Sequence, residues 1–130
     1  MLKVLFVCVG NSGRSQMAEA FFNHMSKGKP LAFSAGTMPS DRVDPMVIEV
    51  MKELDIDISG KKPKQLTAEM LKSSKKVITM GCSTEDVCPA TLVTTEDWGL
   101  PDPKGKSKEE IRKIRDEIKS RVTRLLEEIV

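Results

Sequence analysis

Tyrosine is absent from this sequence, and tryptophan occurs once, as Trp98. That leaves little with which to wall a cleft in stacked aromatic rings. Histidine also occurs once, as His24, and there are three cysteines, Cys8, Cys82 and Cys88. Four zinc ligands are hard to assemble from that set, so neither a metal nor a cofactor is expected. Three is an odd and small number of thiols for a disulfide-stapled secreted domain; it points to chemistry or burial in a cytoplasmic setting. No apolar run approaches the roughly 20 residues that span a bilayer. The net charge of +2 offers neither a nucleic-acid stripe nor a membrane patch. Met1–Gly10 is apolar but short, without a basic leader or a small-residue cleavage site, and reads as a strand and not a signal peptide.

What is present suits one compact catalytic domain over residues 1–130. Hydrophobic residues make up 39% and charged residues 31%, an ordinary balance for a globular protein. Leu2–Val9 is β-branched and apolar enough for a buried strand. Met17, Phe21 and Met25 then repeat at helical spacing until Gly28 and Pro30. Leu31–Ala35 reads as a second strand. Asp44-Pro45 opens a helix with Val47, Val50, Met51 and Leu54 on one face. Asp57–Lys64 reads as a basic loop and Thr67–Ser73 as a short helix. Lys76–Met80 is a third strand and Leu92–Thr95 a weaker fourth. Ser107 and Glu110 fit a capping box before a long amphipathic helix carrying Ile111, Ile114, Ile118, Val122, Leu125 and Ile129. Strands alternating with helices imply an α/β fold, a parallel sheet covered on both faces, with its ligand site beyond the carboxyl ends of the strands. Cys8, Cys82 and Asp102 all follow predicted strands and converge on that rim.

The strongest motif is Cys8-Val9-Gly10-Asn11-Ser12-Gly13-Arg14-Ser15, a Cys, five residues, then Arg-Ser between a strand and a helix. Small residues let the backbone curl until successive amides face inward, making an anion nest. The following helix adds unpaired amides and the positive end of its dipole. Arg14 can hold two oxygens of a phosphate-like anion. The same field favours Cys8 as a thiolate, and Ser15 can donate a further hydrogen bond to the sulfur. The loop therefore brings a nucleophile to its anionic target.

These residues resemble the low-molecular-weight protein tyrosine phosphatase superfamily, and within it the thioredoxin-coupled arsenate reductases. The likeness runs over nearly the whole chain, through Cys8–Glu19, Ser34-Ala35-Gly36, Ile56–Ser59, Val77–Met80, Cys88-Pro89, Trp98-Gly99 and Asp102-Pro103. It implies a three-layer sandwich with a four-stranded parallel sheet. It also implies that Cys8 attacks arsenate held by Arg14 and the loop amides, while Asp102 protonates the leaving oxygen. Cys82 then attacks the Cys8 sulfur to release arsenite, and Cys88 closes a disulfide with Cys82 that thioredoxin or a similar dithiol donor reduces. Three features depart from the family pattern. Gly13 stands where members often carry another Cys. Cys82 and Cys88 are one residue closer than usual, so the resolving position aligns with Gly81. Asn11, Glu19 and Ser34 match ligands of a potassium ion bound by several members, but Lys62 and Lys64 appear in place of a Thr/Asp pair, and a lysine ammonium is expected to replace the ion.

Two other functions compete. A tyrosine phosphatase would use the same loop and acid through a cysteinyl-phosphate. Such enzymes usually set an aromatic residue after the acid-Pro pair, where this chain has Lys104, and Trp98 reads as a packing residue. The third reading is a non-catalytic oxyanion-binding or redox-sensing module.

Overall fold

A computed structural model describes residues 3–80 and 95–129. Its elements run β1 (Lys3–Cys8), α1 (Arg14–Ser26), β2 (Leu31–Gly36), α2 (Pro45–Lys52), α3 (Ala68–Ser73), β3 (Lys76–Thr79), β4 (Thr95–Asp97) and α4 (Lys108–Ile129). The four strands form one parallel sheet in the order β2-β1-β3-β4. The α/β architecture with a four-stranded parallel sheet is as the sequence implies. The expected fourth strand at Leu92–Thr95 lies outside the described residues except for Thr95, where β4 begins.

Alternation along β1 divides the interior. Val4, Phe6 and Cys8 join the larger cluster, with Met17, Phe21 and Phe22 of α1, Val47 and Val50 of α2, and the Ile111–Leu125 stripe of α4. Leu5 and Val7 face the smaller cluster, closed by Leu71 of α3 with Ala35 and Val77. A strand with both faces buried has no need of polar alternation, which is why β1 is an unbroken apolar run. Trp98, 5% exposed, packs on Phe6 with ring centroids 5.7 Å apart and donates its indole N–H to Glu96 at 2.6 Å. It belongs to the core.

The helix boundaries follow local chemistry. Asp44 caps α2 by accepting the Met46 amide at 2.9 Å, with Pro45 at the first helical position. At α4, Ser107 Oγ accepts the Glu110 amide at 3.2 Å, while its own hydroxyl donates to the Glu110 carboxylate at 3.0 Å. The box thus closes side chain to side chain. The left-handed turn ending α1 falls on Lys27, φ 57°, one residue before Gly28. Glu53, just past α2, ties that helix to α4, with Arg112 Nη2 and Arg115 Nη1 each 2.7 Å from its carboxylate. The hydrogen bond from Arg112, aided by Arg115, holds the Glu53 carboxyl down at about 2 from an ordinary 4.5.

Because the chain passes from β1 to β2 on one side and then crosses back to β3 on the other, the carboxyl end of β1 is the topological switch point of the sheet, the usual place for a ligand. Cys8 is the last residue of β1.

Candidate active site

Cys8 is 2% exposed at the base of the loop that leads into α1. Its Sγ accepts the Asn11 backbone N–H at 3.1 Å and lies 2.8 Å from Ser15 Oγ. The direction of that second bond follows from its neighbours. Asn11 Nδ2 donates to Ser15 Oγ at 2.7 Å, and Asn11 Oδ1 accepts from the Lys64 amide at 2.8 Å and from Gln16 Nε2 at 3.1 Å. With its oxygen engaged by two donors, Asn11 presents its NH2 to Ser15, whose own hydroxyl proton stays available to the sulfur. The sulfur is thus placed to accept two hydrogen bonds.

The loop turns at Asn11, whose φ of 50° is a conformation asparagine tolerates better than most residues. Gly13 occupies the N-cap of α1, with no side-chain cap and no acidic residue in the first turn. The first amides of α1 are therefore left for an anion. Arg14 is 6% exposed, and its Nη1 donates to the carbonyls of Met80, after β3, and Leu100, at 2.8 Å for the latter. The rest of the guanidinium has no protein partner among the described residues.

Asp102 is exposed on the opposite wall, its Oδ1 accepting the Lys104 amide at 3.0 Å. Its loop is seated directly on the Cys8–Arg14 loop: a Cβ at Gly13 would stand 2.7 Å from Pro103 Cγ. Between the walls is a cleft of about 290 Å³, with Ser12, Ser40 and Arg42 on one side and Asp102, Pro103 and Lys104 on the other. No aromatic side chain is among its described lining. The structure thus brings Cys8, Arg14, Ser15 and Asp102 to one rim, around the turn formed by Val9, Gly10, Asn11, Ser12 and Gly13. Cys82 and Cys88 lie outside the described residues.

Behind the loop, Glu19 is 3% exposed and accepts the Ser34 hydroxyl at 2.9 Å. Lys61 and Lys64 each bring Nζ within 3.5 Å of its carboxylate. The lysine pair expected as Lys62 and Lys64 is therefore Lys61 and Lys64. Lys62 contributes its backbone carbonyl, which accepts Gln16 Nε2 at 3.2 Å. Gln16 is the residue the sequence reading missed. It lies two places beyond the Arg of the motif, and its local pattern carries no signal of its role.

Residues 3–130 match the family described as low molecular weight phosphotyrosine protein phosphatase, and the chain belongs to that family. Its relatives within the family include arsenate reductases. The arsenate reductase of Staphylococcus xylosus is 42% identical over 118 residues, covering 89% of each protein. A solved structure titled as an arsenate reductase in the phosphate binding state superposes with a TM-score of 0.87 at 40% identity, over 100% of both chains. The thioredoxin-dependent arsenate reductase of Corynebacterium glutamicum gives 0.84 at 38% identity, covering 99% of this chain and 62% of that one.

Proposed function

We propose that this protein is an arsenate reductase that works through a Cys8 adduct and a dithiol relay. The observation that carries the proposal is the doubly hydrogen-bonded Cys8 sulfur at the uncapped start of α1. The loop amides and the free side of Arg14 hold three oxygens of arsenate, leaving the fourth toward Asp102. The Cys8 thiolate attacks arsenic as Asp102 gives its proton to the departing oxygen, which leaves as water. An S–As(V) bond has formed and an As–O bond has broken.

The thiolate of Cys82 then attacks Cys8 Sγ. The electron pair of the S–As bond moves onto arsenic, which departs as arsenite, and a Cys8–Cys82 disulfide remains. Cys88 attacks Cys82, freeing Cys8 as thiolate and leaving a Cys82–Cys88 disulfide. Two thiols have lost two electrons and arsenic has gained them. A thioredoxin-like dithiol protein returns them; the relatedness to a thioredoxin-dependent reductase supports that donor. The reaction takes place in one catalytic domain, located in the cytoplasm, where thiols are kept reduced.

The phosphatase alternative shares the first step, with phosphate for arsenate. The mixed-charge cleft without aromatic lining gives an aryl group little to stack on. A single turnover with arsenate, no reductant and mass detection separates the readings. A reductase yields one arsenite per chain, a Cys82–Cys88 bridge and a free Cys8. Undiminished phosphatase turnover with no arsenite formed, in wild type and Cys82→Ser alike, would refute the reductase.

A further inference from the structure

We infer that Gln16 is a positioning residue for the nucleophile, acting on Cys8 through Asn11. Gln16 is fully buried in the first turn of α1, where a helix facing a core would ordinarily carry an apolar side chain. Its Nε2 approaches three acceptors: the Asn11 carbonyl at 3.2 Å, Asn11 Oδ1 at 3.1 Å and the Lys62 carbonyl at 3.2 Å. Exchanging its amide ends would set an oxygen against three oxygens, so the nitrogen's place is determined. The consequence is that Oε1 is buried with no hydrogen-bond partner among the described residues.

Gln16 thus leaves its own acceptor unmatched while its nitrogen serves acceptors on two neighbouring segments. What the amide does is grip Asn11 at two atoms. The carbonyl contact steadies the left-handed backbone at Asn11, whose N–H reaches Cys8 Sγ. The Oδ1 contact, with the Lys64 amide, keeps Asn11 Nδ2 toward Ser15 and so leaves the Ser15 proton free to donate to the sulfur. Both hydrogen bonds to the nucleophile thus descend from one residue that never touches it. The same amide also joins the 61–65 segment to the loop through Lys62.

The inference rests on Cys8 being the nucleophile proposed above, and its test reads the thiol directly. Gln16→Met keeps the volume and removes both donors. Cys8 alkylation by iodoacetamide is expected to slow about tenfold at pH 7, the loss of roughly one hydrogen bond to a charged group. At strongly alkaline pH, where thiols ionise regardless of environment, variant and wild type should react alike. The urea midpoint should fall modestly at most, because the Asn11 and Lys62 carbonyls lose a donor while the unpaired Gln16 acceptor is also removed. Gln16→Asn, which withdraws the amide by one methylene, should move the neutral rate the same way. Combined with Ser15→Ala, Gln16→Met should slow labelling by less than the product of the single effects.

Folded variants labelling at the wild-type rate at pH 7 would overturn the role of Gln16 and leave that of Cys8 standing. So would slowing by an equal factor at every pH, or strict additivity with Ser15→Ala. Slow wild-type labelling that sulfate fails to block would remove both.

Discussion

Ser15 Oγ stands 2.8 Å from Cys8 Sγ while accepting Asn11 Nδ2 at 2.7 Å, which leaves its hydroxyl proton available to the sulfur. In the proposed mechanism Ser15 donates that proton to the attacking sulfur. Ser15→Ala should slow arsenate reduction by about tenfold or more, the worth of one hydrogen bond to an ion. Steady-state kinetics should show the loss mainly in kcat, because Ser15 bonds the attacking atom.

The seating of Pro103 on Gly13 makes the acid loop sensitive to one methyl group. Gly13→Ala places a Cβ 2.7 Å from Pro103 Cγ, and the loop carrying Asp102 must give way. An ångström of misplacement costs about a hundredfold in rate. Turnover should fall by that order while alkylation of Cys8 falls much less. Equal losses in both assays would show that the substitution acts on the nucleophile loop.

The lysine pair at Glu19 predicts indifference to potassium. Lys61 and Lys64 reach a buried carboxylate from half-exposed positions, so each contributes about 1 kcal/mol or less. Melting temperatures in potassium and sodium chloride at matched ionic strength should agree for the wild type. In Lys61→Ala/Lys64→Ala the buried Glu19 loses its two cationic partners and keeps the Ser34 hydroxyl. That variant should melt lower, with potassium restoring part of the loss. A strong potassium effect on the wild type would contradict the arrangement.

Acid should loosen the junction of α2 and α4. The Glu53 carboxyl is held at about 2 in the folded chain against an ordinary 4.5, first by its hydrogen bond from Arg112. A group whose folded value is depressed contributes stability fully above its unfolded value and loses it as pH falls toward the folded one. Glu53→Gln should therefore lower the urea midpoint at pH 7. The gap to wild type should narrow from pH 4.5 downward and close near pH 2, as chemical denaturation across that range would show.

Much of this was legible before any coordinates, because it depends on local grammar. The unbroken apolar run of β1, the Asp44-Pro45 cap and the period of α4 each dictate their element from neighbouring residues. The Cys8–Ser15 motif carries its own chemistry, since Cys, Arg and Ser at that spacing have few other uses between a strand and a helix. The parts that escaped depend on distant segments. Lys61, not Lys62, meets Glu19 because the backbone of the loop gives the Lys62 carbonyl to Gln16. Gln16 itself reads as an ordinary helical residue until the 61–65 segment is folded against it. The acid loop's contact with Gly13 joins residues 90 positions apart, and no pattern along the chain announces it.

The bare start of α1 has a practical corollary for anyone measuring this protein. With Gly13 offering no side-chain cap, the first turn is completed by whatever tetrahedral anion the solution supplies. Phosphate and sulfate buffers then act as competitors and as thermal protectants at once, each by mass action on the native form. A Michaelis constant for arsenate taken in phosphate buffer reports the buffer concentration as much as the catalyst.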